Sequence, residues 1–244
     1  MRLRAFLPVL FLASPVSAED VLRVAVASNF ADTAGILLVA FQHQAGVEFR
    51  LTTGSTGKLY AQVVNGAPFD VFMSADAERP RLLEAGGHAV AGSRYTYARG
   101  RLIVWSSTAD DCMGALYDMS AGKIALANPV TAPYGRAAKE FLIAVNAWDA
   151  AVGRIVYGQN VLQAIQFAAT GNAPTAIIPR THANHPAMPR ATCTADVPAS
   201  SHAPLEQQVV LISEDNEAAR RFVEFLRSDA ARQEIVAAGY EVSP

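Results

Sequence analysis

Cysteine, charge and long apolar segments are all scarce in this chain of 244 residues. Only 17% of the residues are charged, with 20 basic and 22 acidic side chains, so the chain lacks the basic excess of a nucleic-acid-binding protein. Beyond its first 18 residues, no apolar run approaches the roughly 18 residues that a membrane-spanning helix needs. Hydrophobic residues nevertheless make up 51% of the sequence, which predicts a packed core and excludes a disordered chain.

The first 18 residues have the organisation of a secretory signal peptide. Arg2 and Arg4 form a basic start, residues 5–13 are an apolar run too short to span a bilayer, and Val16-Ser17-Ala18 offers small side chains to a signal peptidase. We therefore expect export, cleavage after Ala18 and a fold that begins at residue 19. The exported chain keeps 18 basic and 22 acidic residues, so it is mildly acidic.

The sequence contains two cysteines, Cys112 and Cys193. In an oxidising compartment they can form a disulfide, and two free thiols are the alternative. Neither cysteine has the basic or metal-ligating neighbours that a reactive thiol or a metal site requires, so a chemical role is not predicted.

Short apolar segments alternate with segments of helical periodicity along the chain. Strands are predicted at 22–27, 47–52, 69–73, 94–106, 123–127, 155–157, 175–178 and 207–212, and helices at 30–44, 58–65, 77–85, 135–147, 161–169, 217–226 and 230–238. This alternation predicts an α/β fold with mainly parallel sheets. Its spacing favours two lobes with a ligand between them. The proline-rich residues 180–204 are predicted to be an irregular surface segment.

Four predicted strand-to-helix turns are rich in neutral hydrogen-bond donors. They are Ser28-Asn29, Gly54-Ser55-Thr56-Gly57, Ala132-Pro133-Tyr134-Gly135 and Gln159-Asn160-Val161. The first N–H groups of a helix are unpaired and lie at the positive end of its dipole, so several helix starts together make an anion site without a cation. The alternative for each turn taken singly is ordinary N-capping of its helix.

Motifs of enzymatic catalysis are missing. Residues 54–58 are not a phosphate-binding loop, because Thr52 and Leu59 stand where that motif requires a glycine and a serine or threonine. His182 and His185 lack a third ligand and are predicted to lie in a solvated loop, while Asp70 is interpreted as a structural carboxylate. We therefore predict no enzyme, no cofactor and no direct metal ligands.

Five ordered blocks resemble the periplasmic molybdate-binding proteins of ABC importers, and the resemblance covers essentially all of the exported chain. The blocks are residues 26–30 (VASNF), 54–62 (GSTGKLYAQ), 65–75 (NGAPFDVFMSA), 92–100 (GSRYTYARG) and 128–135 (NPVTAPYG). The resemblance implies the two-lobed type II periplasmic-binding-protein fold, with lobe 1 at 19–106 plus 205–244 and lobe 2 at 107–204. It also implies a periplasmic monomer that captures molybdate, and tungstate, and delivers it to an ABC permease in the inner membrane.

Carried onto this sequence, the contacts of that family fall on the donor turns. They are Ser28, Asn29, Ser55 or Thr56, Tyr134, and Val161 through its backbone N–H. One branch of the family takes a tyrosine from the strand that corresponds to residues 176–179, which contains none here. The chain is therefore similar to the branch whose tyrosine comes from the Ala-Pro-Tyr-Gly turn.

The chemistry of molybdate agrees with a ring of donors. Molybdate is a fully deprotonated dianion at neutral pH and only accepts hydrogen bonds, whereas phosphate carries a proton that would face another donor. Sulfate is smaller than molybdate, and tungstate has nearly the same size as molybdate. The alternatives are a receptor for another tetrahedral oxyanion, such as sulfate or thiosulfate, and more remotely an exported enzyme on the same fold.

Overall fold

The computed structural model describes residues 21–242, so the predicted signal peptide and its cleavage site lie outside the described residues. The strands are β1 (Leu22–Ala27), β2 (Phe49–Gly54), β3 (Val71–Ser74), β4 (Tyr95–Gly100), β5 (Leu102–Ser106), β6 (Ile124–Ala127), β7 (Ile155–Gly158), β8 (Thr175–Pro179), β9 (Cys193–Asp196) and β10 (Leu205–Leu211). The helices are α1 (Ala31–Ala45), α2 (Thr56–Val64), α3 (Glu78–Ala85), α4 (Pro133–Ala144), α5 (Trp148–Ala151), α6 (Val161–Ala169), α7 (Glu217–Phe225) and α8 (Asp229–Ala237).

The strands form two five-stranded sheets, with the orders β2-β1-β3-β10-β4 and β7-β6-β8-β5-β9. In the first sheet β10 runs antiparallel to both of its neighbours, and in the second β5 does so. The other pairings, β1 with β2 and β3 and β6 with β7 and β8, are parallel. The prediction of an α/β protein with two sheets is therefore confirmed, but the sheets are mixed rather than mainly parallel, because half of the pairings in each are antiparallel.

The position where the chain changes sheets corrects the predicted lobe boundary. Residues 94–106 were expected to form one strand-like stretch of lobe 1, but Arg101 separates β4 from β5. The five residues of β5 are all buried, and they pair with β8 and β9 in the second sheet. The apolar run of β5 suits an interior strand buried on both faces, and both of its edges are paired in the second sheet. We therefore call residues 21–100 and 205–242 the first lobe and residues 101–204 the second lobe.

Each lobe has its own hydrophobic core. In the first lobe, β1 and β3 pack under α1 and α7, with Phe30 and Phe222 fully buried, while Leu59 and Phe72 belong to a smaller cluster. In the second lobe, Trp105 lies in a core with residues of α4 and α6. Among residues 21–242, no helix combines the length and the apolar character needed to cross a membrane.

Residues 180–204 are more ordered than the sequence predicts. Cys193–Asp196 forms β9, which pairs antiparallel with β5, so the segment closes the edge of the second sheet. His182 is buried rather than solvated, and its ring stacks on His185. Burial lowers the pKa of His182 to about 4, and the neighbouring His185 adds to this shift, so the ring is neutral at neutral pH. The expectation of a solvated loop is therefore wrong for His182.

A disulfide joins Cys112 to Cys193 across a sequence separation of 81 residues. Cys112 lies in the loop after β5 and Cys193 begins β9, so the bond lies within the second lobe. Its position ties the proline-rich segment to the sheet that it borders. The disulfide therefore does not restrain one lobe relative to the other.

Removing the disulfide is expected to lower thermal stability. In the chain-entropy model, closing a loop of this length stabilises the protein by about 4 to 5 kcal/mol at most. We expect the double variant Cys112→Ser/Cys193→Ser to melt roughly 5 to 15 °C below the oxidised protein by differential scanning calorimetry. Reductant should produce a similar drop in the wild type and none in the double variant. Two free thiols found by mass spectrometry in the oxidised protein would contradict the bond.

Candidate oxyanion site

All six residues that the resemblance marks for ligand contact line one small cavity between the lobes. The cavity has a volume of about 10 Å³, which is room for about one water molecule. Each of the six is at most 4% exposed. They are Ser28, Asn29, Ser55, Thr56, Tyr134 and Val161. The first four come from the carboxyl ends of β1 and β2, and the other two come from the starts of α4 and α6 across the cleft. The structure thus brings the six predicted residues together.

The starts of three helices border the cavity. Thr56 begins α2, Tyr134 is the second residue of α4, and Val161 begins α6. The first-turn N–H groups lack partners within their own helices, and the dipoles add positive potential. The residues that line the cavity are all uncharged, so donors and helix dipoles create this potential without a formal cation.

Ser55 and Thr56 differ in what their hydroxyl groups do. Thr56 Oγ1 accepts a hydrogen bond from the backbone N–H of Ala75 at 3.2 Å. Ser55 precedes α2 but makes no side-chain capping bond, and within the described residues its buried Oγ has no hydrogen-bond partner. A buried hydroxyl without a partner is destabilising by about 1 to 3 kcal/mol, so its placement calls for a function. Among residues 21–242, the Ser55 hydroxyl therefore has no partner at all, whereas the Thr56 hydroxyl has its oxygen engaged and its proton still free to donate.

Ser28 and Val161 contact each other across the cleft. The backbone N–H of Val161 donates to Ser28 Oγ at 3.1 Å. Ser28 makes no capping bond to the helical turn that it begins, so the N-capping alternative is wrong for this residue. Asn160, by contrast, caps α6 by accepting from the N–H of Gln163 at 3.0 Å. Ser28 and Val161, two residues that are predicted to contact the ligand, therefore connect the lobes in this structure.

Asn29 and Tyr134 are held by two residues that sequence reasoning missed, Gln207 and Tyr240. Asn29 Nδ2 donates to Gln207 Oε1 at 3.0 Å and to the Tyr240 hydroxyl at 3.2 Å. Gln207 Nε2 in turn donates to the Tyr134 hydroxyl at 3.1 Å. The side-chain amide of Asn29 is thus engaged with protein groups. A glutamine at the start of the strand predicted at 207–212 is the one sequence feature that points to this network, and only the structure shows that it is buried.

Tyr134 remains a protonated donor at neutral pH. Burial raises the pKa of its hydroxyl well above 10, and the nearby Tyr240 and Tyr97 add to the shift. The hydroxyl lies over Gly100, the last residue of β4, where a Cβ atom would be 1.8 Å from Tyr134 Oη. The absence of a side chain at position 100 therefore makes room for this donor.

Further contacts hold the lobes closed around the cavity. Lys58 Nζ donates to Gln159 Oε1 at 2.8 Å, the N–H of Gly57 donates to the carbonyl of Thr131 at 2.8 Å, and Arg136 pairs with Glu78 at 3.0 Å. These contacts surround residues that are almost inaccessible to solvent. An anion can therefore enter only when the lobes separate.

Among the described residues, the lining of the cavity includes no carboxylate, histidine or cysteine side chain. Across residues 21–242, no cluster of three or more histidine, cysteine, aspartate or glutamate side chains could hold a metal ion. Asp70 accepts from the backbone N–H of Arg23 at 2.7 Å, which is a structural role. What the arrangement offers chemically is a set of hydrogen-bond donors.

The family of bacterial extracellular solute-binding proteins matches residues 22–241. The chain belongs to this family, whose members bind solutes for transport and are not enzymes. The molybdate-binding protein of Azotobacter vinelandii is 37% identical over 234 residues, which is 94% of this chain and 92% of that protein. The molybdate-binding protein of Rhodobacter capsulatus is 35% identical over 236 residues, with 95% and 92% covered.

The fold agrees with that relationship. The solved structure of the Azotobacter vinelandii periplasmic molybdate-binding protein aligns with a TM-score of 0.84 at 35% identity, covering 91% of this chain and 100% of that chain. The resemblance drawn from the five sequence blocks is confirmed, and so is the two-lobed solute-binding fold.

The close approach at Gly100 leads to a stability prediction. We expect Gly100→Ala to lower the free energy of unfolding by about 1 to 3 kcal/mol, because the added methyl group must displace the Tyr134 hydroxyl from a packed site. The matched control is Gly153→Ala, since a Cβ atom at Gly153 would meet no atom within 4 Å. Urea denaturation measures both variants. Equal stability of Gly100→Ala and wild type would contradict the close approach.

Proposed function

We propose that the protein captures molybdate in the cavity between its lobes, binds tungstate as well, and delivers the anion to an ABC permease. The observation that carries this proposal is a closed, uncharged cavity bordered by three helix starts and lined by hydrogen-bond donors. The relatives named as molybdate-binding proteins, which match over more than nine tenths of their own length, support it.

The donors match the hydrogen-bonding needs of molybdate. The dianion carries no proton, so each oxygen accepts, and the hydroxyls of Ser55 and Tyr134 are placed to donate. The N–H of Val161 is available once Ser28 turns its own hydroxyl toward the anion. Asn29 contributes through its backbone N–H, because its side-chain amide is already bonded to Gln207 and Tyr240. Helix dipoles compensate the two negative charges.

Phosphate and sulfate are disfavoured for different reasons. The lining contains no carboxylate that could accept the proton of hydrogen phosphate, so that proton would face a donor. Sulfate has the same charge as molybdate but is smaller, and a cavity fixed by helix starts lengthens every hydrogen bond to it. A receptor for sulfate or thiosulfate is the alternative outcome of a binding experiment.

The site of action follows from the start of the chain. We propose that residues 1–18 direct export and are removed after Ala18, so that the protein works in the periplasm as a monomer. The basic, apolar and small-residue order of this segment supports export. The donor set itself needs no cofactor and no nucleic acid.

Isothermal titration calorimetry of the exported chain tests the proposed function. We expect molybdate and tungstate each to bind tightly at one site per chain, and sulfate and phosphate to bind far more weakly. Equal affinity for sulfate would favour the alternative receptor. No heat with any of the four anions would contradict an oxyanion-binding function.

Removing either hydroxyl of the Ser55-Thr56 turn is expected to weaken binding, but only the loss of the Thr56 hydroxyl is expected to lower the free energy of unfolding. Ser55→Ala should weaken molybdate binding by about 1.5 to 3 kcal/mol, the usual value of a hydrogen bond to a charged group, without destabilising the free protein. Thr56→Val should lower the free energy of unfolding as well as weaken binding, because the N–H of Ala75 loses its acceptor and the cavity loses a donor.

Calorimetry and thermal melting of both variants separate the two roles. The assignment of Ser55 as a donor would be wrong if Ser55→Ala kept the wild-type affinity.

A further inference from the structure

A directed chain of hydrogen bonds leads from the C-terminal region to the cavity. It begins where the Tyr240 hydroxyl donates to the backbone carbonyl of Asn29 at 2.5 Å. A backbone carbonyl can only accept, so the direction of this bond is fixed. The oxygen of Tyr240 is therefore left to accept, and it receives Asn29 Nδ2 at 3.2 Å.

The direction passes from Asn29 to Gln207. The nitrogen end of the Asn29 side chain is fixed by Tyr240, and it also donates to the Gln207 side chain at 3.0 Å. The end of Gln207 that faces Asn29 must then be its carbonyl oxygen, so its other end is the NH₂ group. That group donates to Tyr134 Oη at 3.1 Å.

The chain ends at the Tyr134 hydroxyl with a definite polarity. Because its oxygen already accepts from Gln207, its proton is directed elsewhere, and Tyr134 lines the cavity. The four side chains involved are Asn29, Tyr134, Gln207 and Tyr240, each at most 3% exposed. Buried networks of this kind cannot exchange their bonds with solvent, so the polarity persists.

We propose that Gln207 and Tyr240 are positioning residues that fix the Tyr134 hydroxyl as a donor into the cavity and so deny an oxyanion that carries a proton an acceptor at this position. This inference rests on the proposed function. An unrestrained tyrosine hydroxyl both donates and accepts, and could rotate to receive the proton of hydrogen phosphate. A hydroxyl fixed as a donor cannot, so protonated anions meet a donor instead of an acceptor.

Reversing the polarity at position 207 tests the proposal. In Gln207→Glu, the introduced carboxylate accepts from both Asn29 and the Tyr134 hydroxyl, and the oxygen of Tyr134 then faces the cavity as an acceptor. At about pH 8, molybdate and hydrogen phosphate are both dianions, so the added charge affects them alike. We expect the ratio of the phosphate Kd to the molybdate Kd to fall by about tenfold or more, measured by competition.

The neighbouring residue supplies a matched control. Gln208 Nε2 donates to Thr96 Oγ1 at 3.0 Å, and Gln208 does not line the cavity. Gln208→Glu therefore introduces the same charge one residue along β10. We expect its Kd ratio to equal that of the wild type.

A second pair of variants keeps the test independent of a buried carboxylate. The rings of Tyr240 and Tyr97 pack edge-on against Phe30 with centroids at 5.0 and 4.8 Å. Tyr240→Phe removes the first donor of the chain, which should lower the Kd ratio severalfold although Tyr240 does not line the cavity. Tyr97→Phe removes a hydroxyl that has no hydrogen-bond partner within the described residues, and should leave the ratio unchanged.

The outcomes separate this inference from the proposed function. The positioning role is overturned if the wild type binds molybdate and both Gln207→Glu and Tyr240→Phe keep the wild-type ratio of the phosphate Kd to the molybdate Kd. This holds even if each variant binds both anions more weakly. If Gln207→Glu does not fold, a comparison of the Kd ratios of Tyr240→Phe and Tyr97→Phe tests the positioning role by itself. A wild type that does not bind molybdate overturns the proposed function, and this inference with it.

Discussion

The convergence of three helix starts on one closed cavity is the constraint on which the rest of the structure depends. Positive potential arises there from backbone N–H groups and helix dipoles, since the lining contains no charged side chain. Such potential is effective only where water is excluded, which requires that donors from both lobes meet. The two sheets and the chain crossings between them bring these donors together. The contacts between Lys58 and Gln159 and between Arg136 and Glu78 then hold the lobes in place.

Neutral donors select differently from a bound cation or an arginine. A formal charge attracts every anion of sufficient charge, whereas oriented N–H and O–H groups also distinguish anions by whether they carry a proton. The described cavity holds groups of this second kind. In the proposed function, recognition therefore depends on the direction of each donor as much as on its presence, which makes the residues behind the cavity wall part of the selectivity.

The sequence was sufficient for the fold class and for the placement of the donor turns, for a physical reason. Strand-to-helix turns carry local patterns, such as Gly54-Ser55-Thr56-Gly57, and parallel strands bring their carboxyl ends to the same edge. The sheet to which β5 belongs depends on pairings with segments more than 60 residues away in the chain. No local pattern encodes these pairings. Gln207 and Tyr240 escaped notice for the same reason, because their partners Asn29 and Tyr134 are remote in sequence.

Gly100 joins two properties that are usually separate. It ends β4 just before the chain first crosses to the second lobe, and its missing side chain also leaves the space for the Tyr134 hydroxyl. Because Tyr134 belongs to the second lobe and both Gly100 and Gln207 to the first, a separation of the lobes would carry the tyrosine away from the bare backbone and from Gln207 at the same time. The angle between the lobes and the orientation of the Tyr134 hydroxyl would therefore change together. A partly open molecule would thus differ from the closed one in more than the strength of binding, because Tyr134 would have lost Gln207, the partner that orients its hydroxyl.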